Sequence, residues 1–448
     1  MKKKGMEYNY QEALAYLEGL NAFGIKPGLS RIRRLLELLD HPEKNYRAVH
    51  VTGTNGKGSV SAMLAAILRQ SGIKTGLYTS PHLVSYTERM RVDGEDISEA
   101  DFAACARAVK SCAEQLLAEG GEQPTQFEVL TAMAFLYFAE CSAEYAVIEV
   151  GLGGLLDSTN VIVPDVSVIT NVAMEHADRC GGTLLGIAHH KAGIIKEGVP
   201  LVTAADGEPL AVIEREAAEK QSKVFAWGRD FSSHGCAPCD GRAQEIEHSS
   251  PCLGGLPLRC RLPLLGEHQI INSAVAVTAA KILARKEPRI TDGRIRNALA
   301  QVEWPGRFER MDIGNQCIVV DGAHNPAGMT ELRKSLDAYF PGQQRVFLLG
   351  ILKDKDIASM LRILLRAEDI AVITAPQSER TSDPAAVAAS ICAGYAEACA
   401  DNAAALDRAL ALAGQGIGRL LCVAGSLYLI GGIRQMLLSK KAAGGIAE

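Results

Sequence analysis

No apolar run in this chain is long enough to cross a bilayer, and no apolar core follows the charged opening Met1-Lys-Lys-Lys-Gly-Met-Glu-Tyr8. Neither a membrane span nor a secretory signal is expected, so the expectation is a cytoplasmic protein. A basic excess is missing too: the formal net charge is -5, which argues against a nucleic-acid partner. Internal repeats and low-complexity segments are absent. Cysteine is not scarce, at 12 residues, but without a secretion signal these read as reduced thiols. Most lie in apolar runs such as Leu421-Cys422-Val423, where cysteine behaves as a small hydrophobe. A denser group, His234, Cys236, Cys239, His248, Cys252 and Cys260, raises a structural zinc as one reading. The group has no second close pair and sits in a Gly/Ser/Pro-rich stretch, so a surface insertion with incidental thiols is the preferred reading.

What is present fits an ordinary globular protein, 48% hydrophobic and 22% charged. At 448 residues it is too long for one core, and two domains are expected. The break falls just before Val302-Glu-Trp-Pro-Gly-Arg-Phe-Glu309, where Pro305 and Gly306 interrupt the pattern. The expected domains are 1–302 and 303–448.

The chain is organised around Tyr46-Arg-Ala-Val-His-Val-Thr-Gly-Thr-Asn-Gly-Lys-Gly-Ser59. A β-branched run enters a glycine loop, and an alanine- and leucine-rich helix follows over 60–70. Glycines let backbone N–H groups turn toward an anion, the helix start adds partial positive charge, and Lys57 reaches outer phosphates. Ser59 is placed for Mg2+ or a phosphate oxygen. The spelling is a variant, since Gly58 separates Lys57 from Ser59.

Further strands are expected at 74–79, 145–150 and 166–171, with helices over 7–20, 30–40, 98–118, 126–140 and 182–192. Ser30 is a plausible helix cap. The first two strands and their helical crossover form a βαβ unit and should lie parallel. Ser80, Glu149 and His176 each fall at or just past a strand end, on the side where Lys57 and Ser59 hold phosphates. A hydroxyl, a carboxylate and an imidazole there make a reasonable Mg2+ site. After a loop-rich segment at 229–265, helices follow to about 285 and over 292–301. The second half alternates strands at 317–321, 345–350, 370–375 and 419–424 with helices, a smaller Rossmann-like doubly wound domain. The fold class is α/β: a P-loop parallel-sheet ATPase domain followed by that smaller domain.

Gly53-Thr-Asn-Gly-Lys-Gly-Ser59, Thr79-Ser-Pro-His-Leu83, Thr125-Gln-Phe-Glu128, Glu149-Val-Gly-Leu-Gly-Gly-Leu-Leu-Asp-Ser-Thr-Asn160, His190-Lys-Ala-Gly-Ile194, Trp304-Pro-Gly-Arg307 and Asp321-Gly-Ala-His-Asn-Pro326 follow one another in family-like order. Together they resemble the folylpolyglutamate synthase/dihydrofolate synthase family, the folate branch of the Mur ligase superfamily. The resemblance implies ATP-dependent amide formation: a folate or dihydropteroate carboxylate takes the γ-phosphoryl group of ATP, and L-glutamate attacks the acyl phosphate. It implies that Thr54, Asn55, Gly56, Lys57, Gly58 and Ser59 cradle ATP. Ser80, Glu149 and His176 would hold Mg2+, with two ions expected. Asn272, Arg307 and Asp321 would contact the nucleotide, so that ATP bridges the domains. His324 and Ser426 would bind incoming glutamate, while Arg31, Thr79, Thr125, Gln126, Phe127 and Glu128 would line the pteroate pocket. Lys57, Lys191 and His176 are the expected catalytic residues, Lys191 as a carbamate formed with CO2. A monomer is expected.

Two departures matter. Leu155 stands where many members carry Arg, and Glu175 where many carry Asp. Loss of a charge at 155 ranks folylpolyglutamate synthesis first and dihydrofolate synthesis second. A peptidoglycan-precursor ligase is disfavoured, because too few residues precede the loop for a uridine-nucleotide domain. A P-loop ATPase without ligation is the rival from another class.

Overall fold

Arg47–Thr52 (β1) is buried along nearly its whole length, as a strand covered on both faces of a parallel sheet must be. Around it the computed structural model describes residues 8–24, 26–175, 179–239, 242–376, 378, 380–391, 394–415 and 419–444. The chain packs as two units. One comprises Met1–His234, Glu247–Cys260 and Ile271–Val302; the other comprises Gly235–Ile246, Arg261–Ile270 and Glu303–Glu448.

In the first unit, β1 is joined by Thr75–Tyr78 (β2), Met90–Val92 (β3), Glu95–Asp96 (β4), Tyr145–Glu149 (β5), Val166–Ile169 (β6), Leu201–Thr203 (β7) and Val224–Ala226 (β8). The sheet order is β4-β3-β2-β5-β1-β6-β7-β8. From β2 to β8 all neighbours are parallel. The expected βαβ unit is therefore present in direction, but β5 lies between β1 and β2. This interposition puts the ends of β2, β5 and β1 side by side, and these are the ends that carry Ser80, Glu149 and the glycine loop. The helix Gln126–Glu140 backs this region, buried nearly all round, and begins with a capping box between Thr125 and Glu128. Ser30 proves to be the first helical residue, with Leu29 in the capping position and no side-chain cap.

The segment expected to be loop-rich is a correction. It forms Ser232–Cys239 (β9), Ala243–Ser249 (β10) and Leu258–Leu262 (β11), a three-stranded sheet in the order β11-β10-β9. In β11 buried Leu258, Cys260 and Leu262 alternate with exposed Arg259 and Arg261, a half-buried strand pattern. The side chains of Cys236 and Cys239 lie outside the described residues. His248 is fully buried and bonded to the Ser233 hydroxyl at 3.1 Å. Among the described residues no group of three His, Cys, Asp or Glu could hold a metal ion.

The second unit holds Glu309–Ile313 (β12), Gln316–Val320 (β13), Arg345–Leu349 (β14), Ile370–Ile373 (β15), Tyr395–Ala398 (β16) and Leu420–Ala424 (β17), in the order β12-β13-β17-β14-β15-β16. Only the β12–β13 hairpin is antiparallel. β12 and β16, both at sheet edges, are additions to the expected strands. No helix among the described residues is long and apolar enough to cross a membrane.

Candidate functional site

The glycine loop is stitched to the segment that follows β6. Thr54 N–H donates to Asn171 O at 3.0 Å and Asn55 N–H to Asn171 Oδ1 at 2.9 Å. Thr170 Oγ1 donates to Asn55 O at 2.6 Å, and Thr54 Oγ1 accepts Ala173 N–H at 2.9 Å. Two glycines are dictated by this closeness. A Cβ on Gly53 would lie 1.8 Å from Thr170 Oγ1, and one on Gly56, at φ +84°, would lie 2.4 Å from Asn272 Oδ1. Asn272 thus stands against the loop it was expected to serve.

The helix Lys57–Gln70 starts directly after Gly56 with no side-chain cap. Its first N–H groups have no acceptor within the helix, which is the setting for an anion. Lys57 Nζ donates to Gly53 O at 2.9 Å and Thr54 O at 3.0 Å, so the ammonium is tethered to the loop itself. Among the described residues no carboxylate pairs with it. An uncompensated cation over a helix start fits a polyphosphate.

Beside it, Glu149 ends β5 with 4% exposure, and its Oε2 accepts the Ser80 N–H at 3.1 Å. A carboxylate and a hydroxyl residue are thereby brought together, the hard oxygen donors that suit Mg2+. His176 lies outside the described residues. Lys191, in the last turn of the helix Leu184–Ala192, is buried. Burial, and then the Lys57 charge, pull its amine down to about 7, against the opposing influence of Cys180 and Glu175.

The loop after β5 is held by residues that sequence reasoning quoted inside a motif without singling out. Buried Asp157 accepts Leu152 N–H at 2.8 Å, Thr159 N–H at 3.0 Å and the Thr159 hydroxyl at 2.5 Å. Burial raises its pKa, and these bonds pull it back. Asn160 Nδ2 reaches Leu155 O and Gly193 O, both at 3.0 Å. Thr52 Oγ1 donates to Gly153 O at 2.6 Å, fastening the loop to the end of β1. The signal was a turn-rich stretch with Asp and Asn, residues that bond nearby backbone.

The residues expected in the pteroate pocket are brought together, though several are occupied with one another. Glu128 receives Arg31 Nε at 3.1 Å and both the N–H and the hydroxyl of Thr125. Gln126 Nε2 donates to Leu17 O and Tyr86 Oη, each at 3.1 Å. Phe127 stacks on Tyr78 with ring centroids 6.1 Å apart, and its ring covers Gly151, where a Cβ would come within 2.5 Å. Thr79 is buried and its N–H bonds Arg89 O.

In the second unit, Asp321 follows β13. Its oxygens accept Phe308 N–H at 2.7 Å and Ala323 N–H at 2.8 Å. A Cβ on the next residue, Gly322, would meet Arg307 Nη1 at 2.1 Å, so Arg307 and Asp321 are close. His324 Nδ1 donates to Gly322 O at 2.7 Å. Ser426, past the neighbouring strand β17, caps the last helix by accepting Leu429 N–H at 3.1 Å.

Comparison with known proteins places this geometry. The Mur ligase middle domain matches residues 51–280, and the Mur ligase glutamate ligase domain matches 306–427. The chain is 35% identical to the folylpolyglutamate synthase of Lacticaseibacillus casei, over 97% of this chain and 100% of that protein. It is 36% identical to the dihydrofolate synthase/folylpolyglutamate synthase of Bacillus subtilis, over 79% of this chain and 82% of that one. The crystal structure of the Thermotoga maritima folylpolyglutamate synthase superposes with a TM-score of 0.84 at 35% identity, covering 96% of this chain and 97% of that one. The Mycobacterium tuberculosis enzyme complexed with ADP gives 0.87 at 31% identity, covering 96% and 99%. The chain belongs to the folylpolyglutamate synthase/dihydrofolate synthase family, ATP-dependent amino-acid ligases built on the Mur ligase fold.

Proposed function

We propose that the protein joins L-glutamate to the γ-carboxyl of (tetrahydro)folate glutamates through an acyl phosphate, as a cytoplasmic monomer. The observation that carries this reading is the placement of Lys57 over its loop with the Ser80–Glu149 pair beside it. A carboxylate and a triphosphate repel, so positive charge must sit where the phosphoryl group moves. Lys57 and the N–H groups of Gly56, Lys57, Gly58 and Ser59 supply part of that field, with Thr54 and Asn55 holding the loop in shape. Mg2+, when bound by Ser80, Glu149 and His176, would neutralise phosphate oxygens.

A folate carboxylate oxygen attacks the γ-phosphorus and ADP leaves. The glutamate amine, once deprotonated, attacks the acyl carbon and phosphate leaves. Asn272, Arg307 and Asp321 are assigned to the nucleotide, and His324 and Ser426 to glutamate in the domain 303–448. The domain 1–302 takes ATP and folate, with Arg31, Thr79 and Thr125 to Glu128 walling the folate pocket. The lowered amine of Lys191 supports its carbamylation, because neutral amine is the form that reacts with CO2. Leu155 packs against Gly193 and brings no charge to the loop, which ranks γ-glutamyl extension ahead of dihydropteroate ligation in the same site.

Purified protein with ATP should release ADP only when glutamate and a folate are both present, and hydroxylamine should trap an acyl hydroxamate. ATP hydrolysis indifferent to glutamate would instead fit a non-ligating ATPase.

A further inference from the structure

Tyr339, the last residue of the helix Pro326–Tyr339, touches two segments of the second unit that lead to residues assigned to the nucleotide. Its Oη accepts the N–H of Gly266 at 3.3 Å and donates to Gln244 Oε1 at 3.0 Å. Gln244, buried on β10, closes the ring of bonds. Its Nε2 donates to Gly266 O at 3.1 Å and to Leu264 O at 2.6 Å. Both backbone groups of Gly266 are therefore held by side chains that lie 95 positions apart from each other. Burial pushes the Tyr339 phenol above its ordinary range, so it keeps the proton it donates.

Gly266 stands at φ +112°, directly before the helix Glu267–Leu283. A Cβ there would lie 2.6 Å from His268 Cε1 and 2.9 Å from Ser335 Oγ. Only glycine adopts this backbone without strain, and an unrestrained glycine is also the most mobile of residues. The turn Glu267 to Ile270 packs within the second unit, and Asn272 lies two residues further along the same helix. Six residues of helix span about 9 Å, so a change of direction at Gly266 is carried to Asn272.

The Tyr339 ring bears on the other segment. It lies against Phe308 with ring centroids 5.8 Å apart, and the Phe308 N–H is the group that Asp321 Oδ2 accepts at 2.7 Å. Arg307 directly precedes Phe308. One side chain thus acts on the helix of Asn272 through its hydroxyl and on the Arg307–Asp321 segment through its ring.

We propose that Tyr339, with Gln244, is a positioning residue for the nucleotide. It fixes the start of the helix that presents Asn272 and the segment that presents Arg307 and Asp321. This rests on the assignment of those three residues to ATP.

ADP dissociation constants should be measured by calorimetry, with steady-state constants for ATP, folate and glutamate and the thermal midpoint as controls. The variants are Tyr339→Phe, Gln244→Met, Tyr339→Leu and Asn272→Ala, and each Tyr339 change combined with Asn272→Ala. Tyr339→Phe, which loses only the hydroxyl, should weaken ADP binding and raise KM for ATP by about 3–10-fold, the weight of one hydrogen bond. Gln244→Met should do the same, with KM for folate and glutamate at wild-type values. On top of Asn272→Ala, Tyr339→Phe should change ADP affinity by less than about twofold, because it acts through Asn272. Tyr339→Leu, which also removes the ring, should still weaken it there. Unchanged ADP affinity in Tyr339→Phe and Gln244→Met overturns the positioning role. So does a full loss on top of Asn272→Ala, or a rise in all three KM values that follows the thermal midpoint. A silent Tyr339→Leu on top of Asn272→Ala overturns the arm through Phe308. Wild-type protein that binds no ADP overturns the nucleotide assignment and the positioning role with it. Wild-type protein that binds ADP without folate-dependent turnover overturns the ligase reading alone.

Discussion

Arg31 and Glu128, 97 residues apart in sequence, meet through the Arg31 Nε, 3.1 Å from each Glu128 oxygen, with both side chains almost wholly buried. The same carboxylate closes the capping box of the helix Gln126–Glu140. Residues expected to meet the folate therefore also hold one another in place.

Removing Glu128 breaks a buried ion pair and a helix cap, leaving Arg31 only the exposed Glu122 at 2.9 Å and Lys26 O at 2.7 Å, and breaking a buried pair costs about 3–5 kcal/mol. Glu128→Ala should lower the unfolding free energy by about that amount in denaturant titration. The double replacement Arg31→Met with Glu128→Leu should recover most of it. A single-variant loss under about 1 kcal/mol would place the pair's weight elsewhere.

At Gly56, a left-handed backbone and the 2.4 Å approach of Asn272 leave no room for a side chain. The backbone term alone is about 1–2 kcal/mol. Gly56→Ala should weaken nucleotide binding by about tenfold or more. Nucleotide titration by calorimetry reads this directly.

Carbamylation of Lys191, as proposed, predicts a pH and CO2 dependence. Its amine is drawn from 10.5 down to about 7, so the neutral form persists above that pH and is lost as pH falls through it. Enzyme stripped of CO2 should lose activity and regain it with bicarbonate above about pH 7, with recovery failing at lower pH. Lys191→Ala should show no bicarbonate response.

His50 supplies a stability signature. It is fully buried, its Nε2 bonds Thr159 Oγ1 at 2.9 Å, and burial and then Lys196 depress it from 6.5 to about 3. Between those values the unfolded chain binds the proton and the folded one does not, so stability rises with pH there and is lost as pH falls. The slope is about 1.4 kcal/mol per pH unit from this group. His50→Gln should flatten the dependence between pH 4 and 6 by about that amount, read from unfolding midpoints at fixed denaturant slope.

The sequence was most legible where local rules suffice. The helix over 126–140 was readable to its ends because apolar positions and a capping box agree. The small sheet was missed because glycine, serine, proline and cysteine in 232–262 obscured strand alternation, although Leu258 to Leu262 alternates cleanly. The glycine loop and its lysine were legible, but not its anchorage. Thr170 reaches Asn55 across 115 positions and Thr54 reaches Ala173 across 119, and pairings that distant are set by sheet order rather than by local pattern. Asp157 escaped notice for a related reason. Its partners are mostly backbone N–H groups, which leave no mark in side-chain identity.

The central claim, that a folate carboxylate receives the terminal phosphoryl group of ATP before the amide forms, is tested most directly by oxygen transfer. With the γ-carboxylate labelled with heavy oxygen, each turnover should place one labelled atom in the inorganic phosphate released. Phosphate carrying only solvent or ATP oxygen, while glutamylated product accumulates, would contradict it.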